Sequence, residues 1–144
     1  MIRGFIPSLN QGLERRDRRV AKRMTAKTSV KITERQVGKV SILDLDGDIR
    51  IGGSRIALRD AIRSLITQGQ TQVLVNLANV EHIDSSGLGE LVSSFVTLTN
   101  RGGKIKLLNL TKRVREVMTI TKLLTVFDVF ENEPEAIESF NPSV

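Results

Sequence analysis

The change of hydrophobic period between residues 73 and 100 constrains the fold more than any other feature. Residues 73–77 have the sequence VLVNL, a short apolar run typical of a strand buried on both faces. Beyond it, apolar residues recur at helical spacing and predict one buried helix face, formed by Leu88, Leu91, Val92, Phe95 and Val96. A buried strand followed directly by an amphipathic helix predicts an α/β domain.

The connection between these two elements has the sequence HIDSSG, residues 82–87. Asp84 or Ser85 can cap the helix, because either side-chain oxygen accepts from the amides of the first turn. A serine hydroxyl is thereby expected at the positive end of the helix dipole, where free amides and the dipole would stabilise a phosphate. The residues alone leave two interpretations open, a plain helix cap and a phosphorylation site.

Residues 84–89, DSSGLG, resemble the signature of STAS domains, specifically of the anti-sigma factor antagonists of bacterial partner-switching systems. The strand before them and the helix after them agree with that family, so the resemblance covers roughly residues 30–140. It implies that Ser85, which directly follows Asp84, is the phosphorylation site.

A second segment, Gly47-Asp48-Ile49, resembles the loop after the second strand of that family. The resemblance implies that this loop lies beside the phosphorylated serine and contributes to the kinase interface. The partner-binding positions that it implies are Asp48, Ile49, Asp84, Ser86, Gly87 and Leu88. The chain departs from the family at Arg50, where the family usually has an acidic residue, and this reverses a charge on the expected partner surface.

The rest of the chain supplies the remaining elements of one domain, as expected for 144 residues. The predicted order is β-β-α-β-α-β-α-β-α. Because strands separated by helices pair in parallel, this order predicts a single α/β domain with a small mixed sheet and helices packed against it. The elements not yet named are strands at 29–34 and 40–45 joined at Gly38, a helix from a Ser54 cap to Gly69, a strand at 105–110, a helix capped by Thr111, a strand at 126–130 and a helix at 132–140.

The excess positive charge is confined to the beginning of the chain. Residues 1–31 hold nine Lys or Arg against two Asp or Glu, whereas the remainder holds thirteen against fourteen. We assign residues 1–28 to a basic leader, 29–141 to the domain and 142–144 to a tail. Three interpretations of the leader are open: a disordered basic tail that contacts nucleic acid or anionic surfaces, a basic helix that folds on a partner, or an upstream extension of a chain whose translation starts at Met24.

Composition and spacing argue against catalysis and against a bound metal or cofactor. The chain has no cysteine, which excludes disulfides and thiol chemistry and favours a reducing cytoplasm. The nucleophile elbow of an α/β-hydrolase needs a glycine two residues before and two residues after the serine, and neither Ser85 nor Ser86 has both. The one histidine, His82, is predicted to be a loop histidine, and no Gly-Lys-Ser/Thr follows the glycines as a P-loop requires.

The resemblance therefore implies an anti-sigma factor antagonist. Unphosphorylated, it would bind an anti-sigma factor that is also a serine kinase; phosphorylation of Ser85 would end that binding, and a serine phosphatase would restore it. We expect a cytoplasmic monomer or weak dimer, with no membrane span and no direct nucleic-acid contact by the domain. The alternative is a STAS subunit of a transporter or lipid-trafficking complex that docks on an ATPase without phosphorylation.

Overall fold

The computed structural model describes residues 30–141, so the leader and the tail assigned above lie outside the described residues. The predicted order of elements is confirmed, with one short 3-10 turn added. The elements are β1 Val30–Val37, β2 Val40–Gly47, α1 Gly53–Thr67, β3 Gln72–Asn79, α2 Ser85–Asn100, β4 Lys104–Leu108, α3 Lys112–Ile120, the 3-10 turn Leu123–Thr125, β5 Val129–Phe130 and α4 Glu133–Ser139. None of the helices within this range combines the length and apolar composition that a membrane crossing requires.

The five strands form one mixed sheet in the order β1-β2-β3-β4-β5. β1 and β2 are an antiparallel hairpin closed at Gly38, whose positive φ of 61° suits the tight turn. From β2 onward every neighbouring pair is parallel, as predicted from the intervening helices. The carboxyl ends of β2 and β3 therefore meet at one edge of the sheet.

The principal core lies between one face of the sheet and helices α1, α2 and α3. β3 is buried on both faces, because Val73, Val75 and Leu77 enter this core and Leu74 faces the other side. The second face is covered by α4, in a smaller cluster that consists of Val40, Ile42, Leu74, Leu108, Ala136 and Phe140. The predicted burial of β3 is thus confirmed.

The predicted apolar face of α2 is confirmed except at Val96, although Phe95 is less buried than expected. Leu88 and Leu91 are buried, whereas Phe95 is only partly buried and packs edge-on against Phe127 at a centroid distance of 5.5 Å. Val96 is 50% exposed, and the fully buried residue of this turn is Leu98. The buried face of α2 includes Ser94, a small polar residue. A prediction from hydrophobicity alone therefore assigned Val96 to this face instead.

Several predicted boundaries move for local reasons. Ser54 does not cap α1, which begins after Gly52; its buried hydroxyl lies in the first turn, accepting from Arg50 N at 2.7 Å and donating to Arg50 O at 2.9 Å. β4 ends at Leu108, because Asn109 adopts a left-handed φ of 59°. The predicted strand 126–130 shrinks to two residues after the 3-10 turn.

The predicted Thr111 cap of α3 is confirmed, and Asn132, where the last helix was predicted to begin, is the cap of α4. Thr111 Oγ1 accepts from Val114 N at 3.4 Å at the start of α3, and Asn132 Oδ1 accepts from Glu135 N at 2.9 Å at the start of α4. A side chain that sequence reasoning missed holds α4 on the sheet. Arg35 of β1 donates to Asp44 of β2 and to Glu133, and these hydrogen bonds lower the pKa of both carboxyls.

We expect Leu98→Ala to destabilise the domain far more than Val96→Ala, although both residues are on the same helix. Leu98 is fully buried, and truncation of such a leucine costs about 2–5 kcal/mol. Val96 is half exposed, and its truncation should cost less than about 1 kcal/mol. Urea unfolding followed by circular dichroism measures both, and equal losses would show that the buried face of α2 is misassigned.

Candidate functional site

Two connections lie side by side at the carboxyl edge of the sheet. One is the loop after β2, residues 48–52, and the other is the segment 80–84 between β3 and α2. Ile49 and Ile83 form an isolated parallel bridge, with Ile49 N donating to His82 O at 3.0 Å and Asp84 N donating to Ile49 O at 3.1 Å. The parallel pairing of β2 and β3 is thereby extended beyond the strands, up to the start of α2.

Asp84 joins the two connections through both oxygens of its carboxylate. Oδ1 accepts from the amides of Ser86 and Gly87, each at 3.0 Å, and from the Ser86 hydroxyl at 2.7 Å. Oδ2 accepts from the amide of Ile51 at 2.9 Å. Of the two caps that the sequence left open, Asp84 is the residue that caps α2, and the same carboxylate also holds the neighbouring loop.

The pKa of the Asp84 carboxyl lies below its usual value. Partial burial alone would raise this pKa, but the hydrogen bonds from Ser86, Ile51 and Gly87 together outweigh that effect. A lowered folded-state pKa means that the stabilisation is present above the pKa of the unfolded chain. This stabilisation is lost as the pH falls through the pKa of Asp84 in the folded chain. Because that pKa is lowered, Asp84 is ionised at neutral pH.

The two serines after Asp84 differ in accessibility. Ser85, the first residue of α2, is exposed, and among the hydrogen bonds within residues 30–141 none involves its hydroxyl. Ser86 is half-buried, and its hydroxyl donates to Asp84. The geometry therefore leaves the Ser85 oxygen open to a reaction at the surface, while the Ser86 oxygen is engaged inside the chain.

The expectation that free amides would stabilise a phosphate on Ser85 does not extend to the amides of the next three residues. The amides of Ser86 and Gly87 are already bound by the Asp84 carboxylate, and Leu88 N donates to Asp84 O at 3.0 Å. The helix dipole still favours negative charge at this end. The amides of Ser86 and Gly87 could bind a phosphate only by displacing Asp84.

The structure places the predicted partner-binding positions at different depths. Asp48 is half-buried, and its carboxylate accepts a hydrogen bond from His82 N at 3.1 Å. The same carboxylate forms an ion pair with Arg50 at 3.1 Å, and His82 Nδ1 lies 3.3 Å from Oδ2. His82 is a half-exposed loop residue, as predicted. By contrast, Ile49, Gly87 and Leu88 are buried, so they shape the surface from below.

Gly87 is required by a close approach between the helix and the loop. A Cβ at this position would lie 2.8 Å from Ile83 Cγ1 and 2.9 Å from both Ile49 Cγ2 and Ile49 O. Part of that obstacle is backbone, which cannot move as the end of a flexible side chain can. The absence of a side chain at residue 87 therefore lets the loop pack against the start of α2.

Sequence reasoning missed the apolar part of this surface. Ile51 is 78% exposed, although its amide is fixed by Asp84, and Ile56 on the first turns of α1 is also exposed. Behind them, Arg55 of α1 donates to Glu90 of α2 at 3.3 Å. The sequence did contain a signal for the exposure of Ile51. This isoleucine stands between Arg50 and a Gly-Gly pair, and such neighbours offer no apolar side chain for it to pack against.

Residues 30–141 contain no group of three or more His, Asp or Glu side chains that could hold a metal ion.

Comparison with known proteins places the chain in a family. Residues 31–136 match the STAS domain. The chain therefore belongs to the STAS domain family, as its DSSGLG segment suggested.

Its relatives include proteins named as anti-sigma factor antagonists. The chain is 31% identical to the anti-sigma-B factor antagonist of Bacillus subtilis (strain 168) over 87 residues, which cover 60% of this chain and 78% of that protein. The anti-sigma factor antagonist SpoIIAA in its unphosphorylated form superposes with a TM-score of 0.68 at 25% identity, covering 79% of this chain and 99% of SpoIIAA. The phosphorylated form of SpoIIAA, from Bacillus, superposes with a TM-score of 0.62 at 24% identity, covering 77% and 100%.

A structural neighbour with a different name shares the fold alone. The sulfate transporter family protein from Wolinella succinogenes has a TM-score of 0.59 at 15% identity, covering 72% of this chain and 85% of that chain.

The two glycines in the first turns of α2 should respond oppositely to replacement by alanine. Gly87→Ala meets Ile49 and Ile83 and should destabilise the domain by about 1–3 kcal/mol. A Cβ at residue 89 would point into open space. Gly89→Ala should therefore leave the stability of the domain unchanged or increase it by up to about 1 kcal/mol, since alanine favours the helix. Thermal unfolding of both variants tests the packing of the loop on α2, and a harmless Gly87→Ala would contradict it.

Proposed function

We propose that the chain is an anti-sigma factor antagonist whose binding to an anti-sigma factor is switched by phosphorylation of Ser85. The observation that carries this proposal is the contrast between two adjacent serines at a family signature. Ser85 is exposed with its hydroxyl unengaged among residues 30–141, and Ser86 is tied to Asp84. The names of the relatives and the existence of SpoIIAA in both phosphorylation states support the same assignment.

In this proposal the anti-sigma factor is also a serine kinase, and the chain is its substrate. The Ser85 oxygen attacks the γ-phosphorus of ATP bound to the kinase. The new O–P bond replaces the bond to ADP, which leaves, and the hydroxyl proton passes to a base on the kinase. A metal-dependent serine phosphatase later hydrolyses the phosphoserine, so the chain itself needs neither a metal nor a cofactor and is not an enzyme.

The proposed partner surface consists of Ile51, Ile56, Asp48, Asp84 and the helix start around Ser85 and Ser86. Ile51 and Ile56 supply exposed apolar area, of the kind that is buried at the centre of an interface. Ile49, Gly87 and Leu88 hold this surface in shape from below.

Phosphorylation would break the complex by charge rather than by unfolding. A phosphate adds about −1.5 to −2 charges in the middle of the partner surface, where removal from water is costly. The fold should survive, because a negative charge at a helix N-terminus is favourable. The phosphorylated chain is therefore expected to lose its binding to the anti-sigma factor while it stays folded.

The proposed partners also set the location. A chain that competes with a sigma factor for an anti-sigma factor acts in the cytoplasm, and it does so through protein contacts rather than direct nucleic-acid contacts of the domain. We propose a monomer or weak dimer.

A STAS subunit that docks on an ATPase without being phosphorylated is the alternative. The likeness to the sulfate transporter family protein favours it only at the level of fold. It differs in one consequence, because in that case no kinase would modify Ser85.

Three variants test the switch. Ser85→Ala should keep its stability within about 0.5 kcal/mol, since Asp84 is the cap, and should bind the kinase without being phosphorylated. Ser85→Asp should also fold, yet bind about tenfold more weakly, because it places a charge on the surface. Ser86→Ala loses a hydrogen bond to Asp84 worth about 1 kcal/mol, but it should remain a substrate.

Incubation with ATP and the candidate kinase, phosphate mapping by mass spectrometry and binding by calorimetry provide the measurements. Incorporation that persists in Ser85→Ala and disappears in Ser86→Ala would move the site to Ser86. If the parent binds the ATPase but neither serine is modified, the docking alternative replaces the switch.

A further inference from the structure

Arg50 is an exposed positive charge beside the candidate site, and the proposed partner surface does not account for it. Its side chain is 52% exposed and pairs with Asp48 Oδ2 at 3.1 Å. An ion pair with this exposure is weak. Asp48 also accepts from His82 N at 3.1 Å and lies 3.3 Å from His82 Nδ1, so its carboxylate keeps partners if Arg50 leaves.

The backbone of Arg50 is fixed next to Asp84. Its two chain neighbours both bond to that residue: Ile49 O accepts from Asp84 N at 3.1 Å, and Ile51 N donates to Asp84 Oδ2 at 2.9 Å. Because Ile49 and Ile83 are paired in parallel, Arg50 lies opposite Asp84, about one strand spacing of 4.8 Å away. A long, flexible arginine side chain at this position can reach a phosphate on the next residue, Ser85.

A phosphate on Ser85 would find few partners in its immediate surroundings. It would carry about −1.5 to −2 charges and three acceptor oxygens, next to the ionised Asp84. The amides of Ser86 and Gly87 are occupied by Asp84, and the helix end offers only about half a positive charge. A nearby cationic side chain would therefore offset much of the charge of this phosphate within the chain.

Arg55 is a second arginine near the start of α2, but it is already committed. Its guanidinium donates to Glu90 at 3.3 Å, and the Glu90 side chain is only 9% exposed. If Arg55 moved away, the buried carboxylate of Glu90 would be left unpaired. This would cost far more free energy than breaking the more exposed ion pair between Arg50 and Asp48. Arg50 is thus the arginine that can move.

We propose that Arg50 leaves Asp48 and pairs with the phosphate of phosphorylated Ser85 in the same chain. The inference rests on the proposed function, and it adds a second effect of phosphorylation. The partner surface gains a phosphate and at the same time loses the guanidinium beside Ile51, because Arg50 turns toward Ser85. One modification then changes two charges of the surface.

The test uses the full chain with phosphoserine incorporated directly at position 85 during translation, so that no kinase is required. The second pKa of the phosphate is measured by ³¹P NMR titration in the parent and in Arg50→Gln. We expect Arg50→Gln to raise this pKa by about one pH unit, since a neighbouring guanidinium favours the dianion. Arg50→Lys, which keeps the charge, should recover part of the difference, and Arg63→Gln on the exposed side of α1 is the control that should change nothing.

Histidine titrates in the same pH range as a phosphate, so the comparison is repeated with His82→Gln in each protein. Circular dichroism of the unphosphorylated variants verifies that each is folded. An equal phosphate pKa in the parent and Arg50→Gln overturns the inference, and so does a rise seen with Arg55→Gln instead. Because phosphoserine is installed without a kinase, failure to find a kinase counts against the proposed function alone, whereas an unchanged pKa counts against the role of Arg50 alone.

Discussion

The carboxylate of Asp84 is the interaction on which the candidate site depends. One oxygen binds the first-turn amides of α2, and the other binds the amide of Ile51 in the loop after β2. The carboxylate therefore links the loop to the start of the helix. The same carboxylate accepts a hydrogen bond from the hydroxyl of Ser86 but not from that of Ser85. The two adjacent serines therefore differ in whether their hydroxyl is engaged, and Ser85 is also the more exposed of the two.

The fold explains why these two segments meet. β2 and β3 are parallel neighbours, so the loops that follow them emerge at the same edge of the sheet, where ligands and partners of α/β folds commonly bind. The Ile49–Ile83 bridge carries the pairing past the strand ends, and Gly87 removes the side chain that would separate loop from helix. α4, held by Arg35, closes the other face of the sheet and takes no part in the site.

Much of this could be predicted from local sequence. Period changes placed the strands and helices, and cap chemistry identified Thr111 and narrowed the cap of α2 to Asp84 or Ser85, because both signals depend only on neighbouring residues. The exposure of Val96 could not be predicted, since it depends on which elements pack nearby. The triad of Arg35, Asp44 and Glu133 joins residues up to 98 positions apart, and no local pattern marks it. The resemblance supplied the site, but not the finding that Asp84 already occupies the amides.

Amide hydrogen exchange in Asp84→Asn tests the central claim that one carboxylate couples the loop to the helix. Asparagine keeps a single acceptor oxygen, which can serve the amides of Ser86 and Gly87 but not also that of Ile51. We expect the Ile51 amide to exchange about tenfold faster than in the parent, because it loses one charge-assisted hydrogen bond, whereas the Gly87 amide stays protected. Unchanged exchange at Ile51 would contradict the account, because the loop would then be held by something other than Asp84.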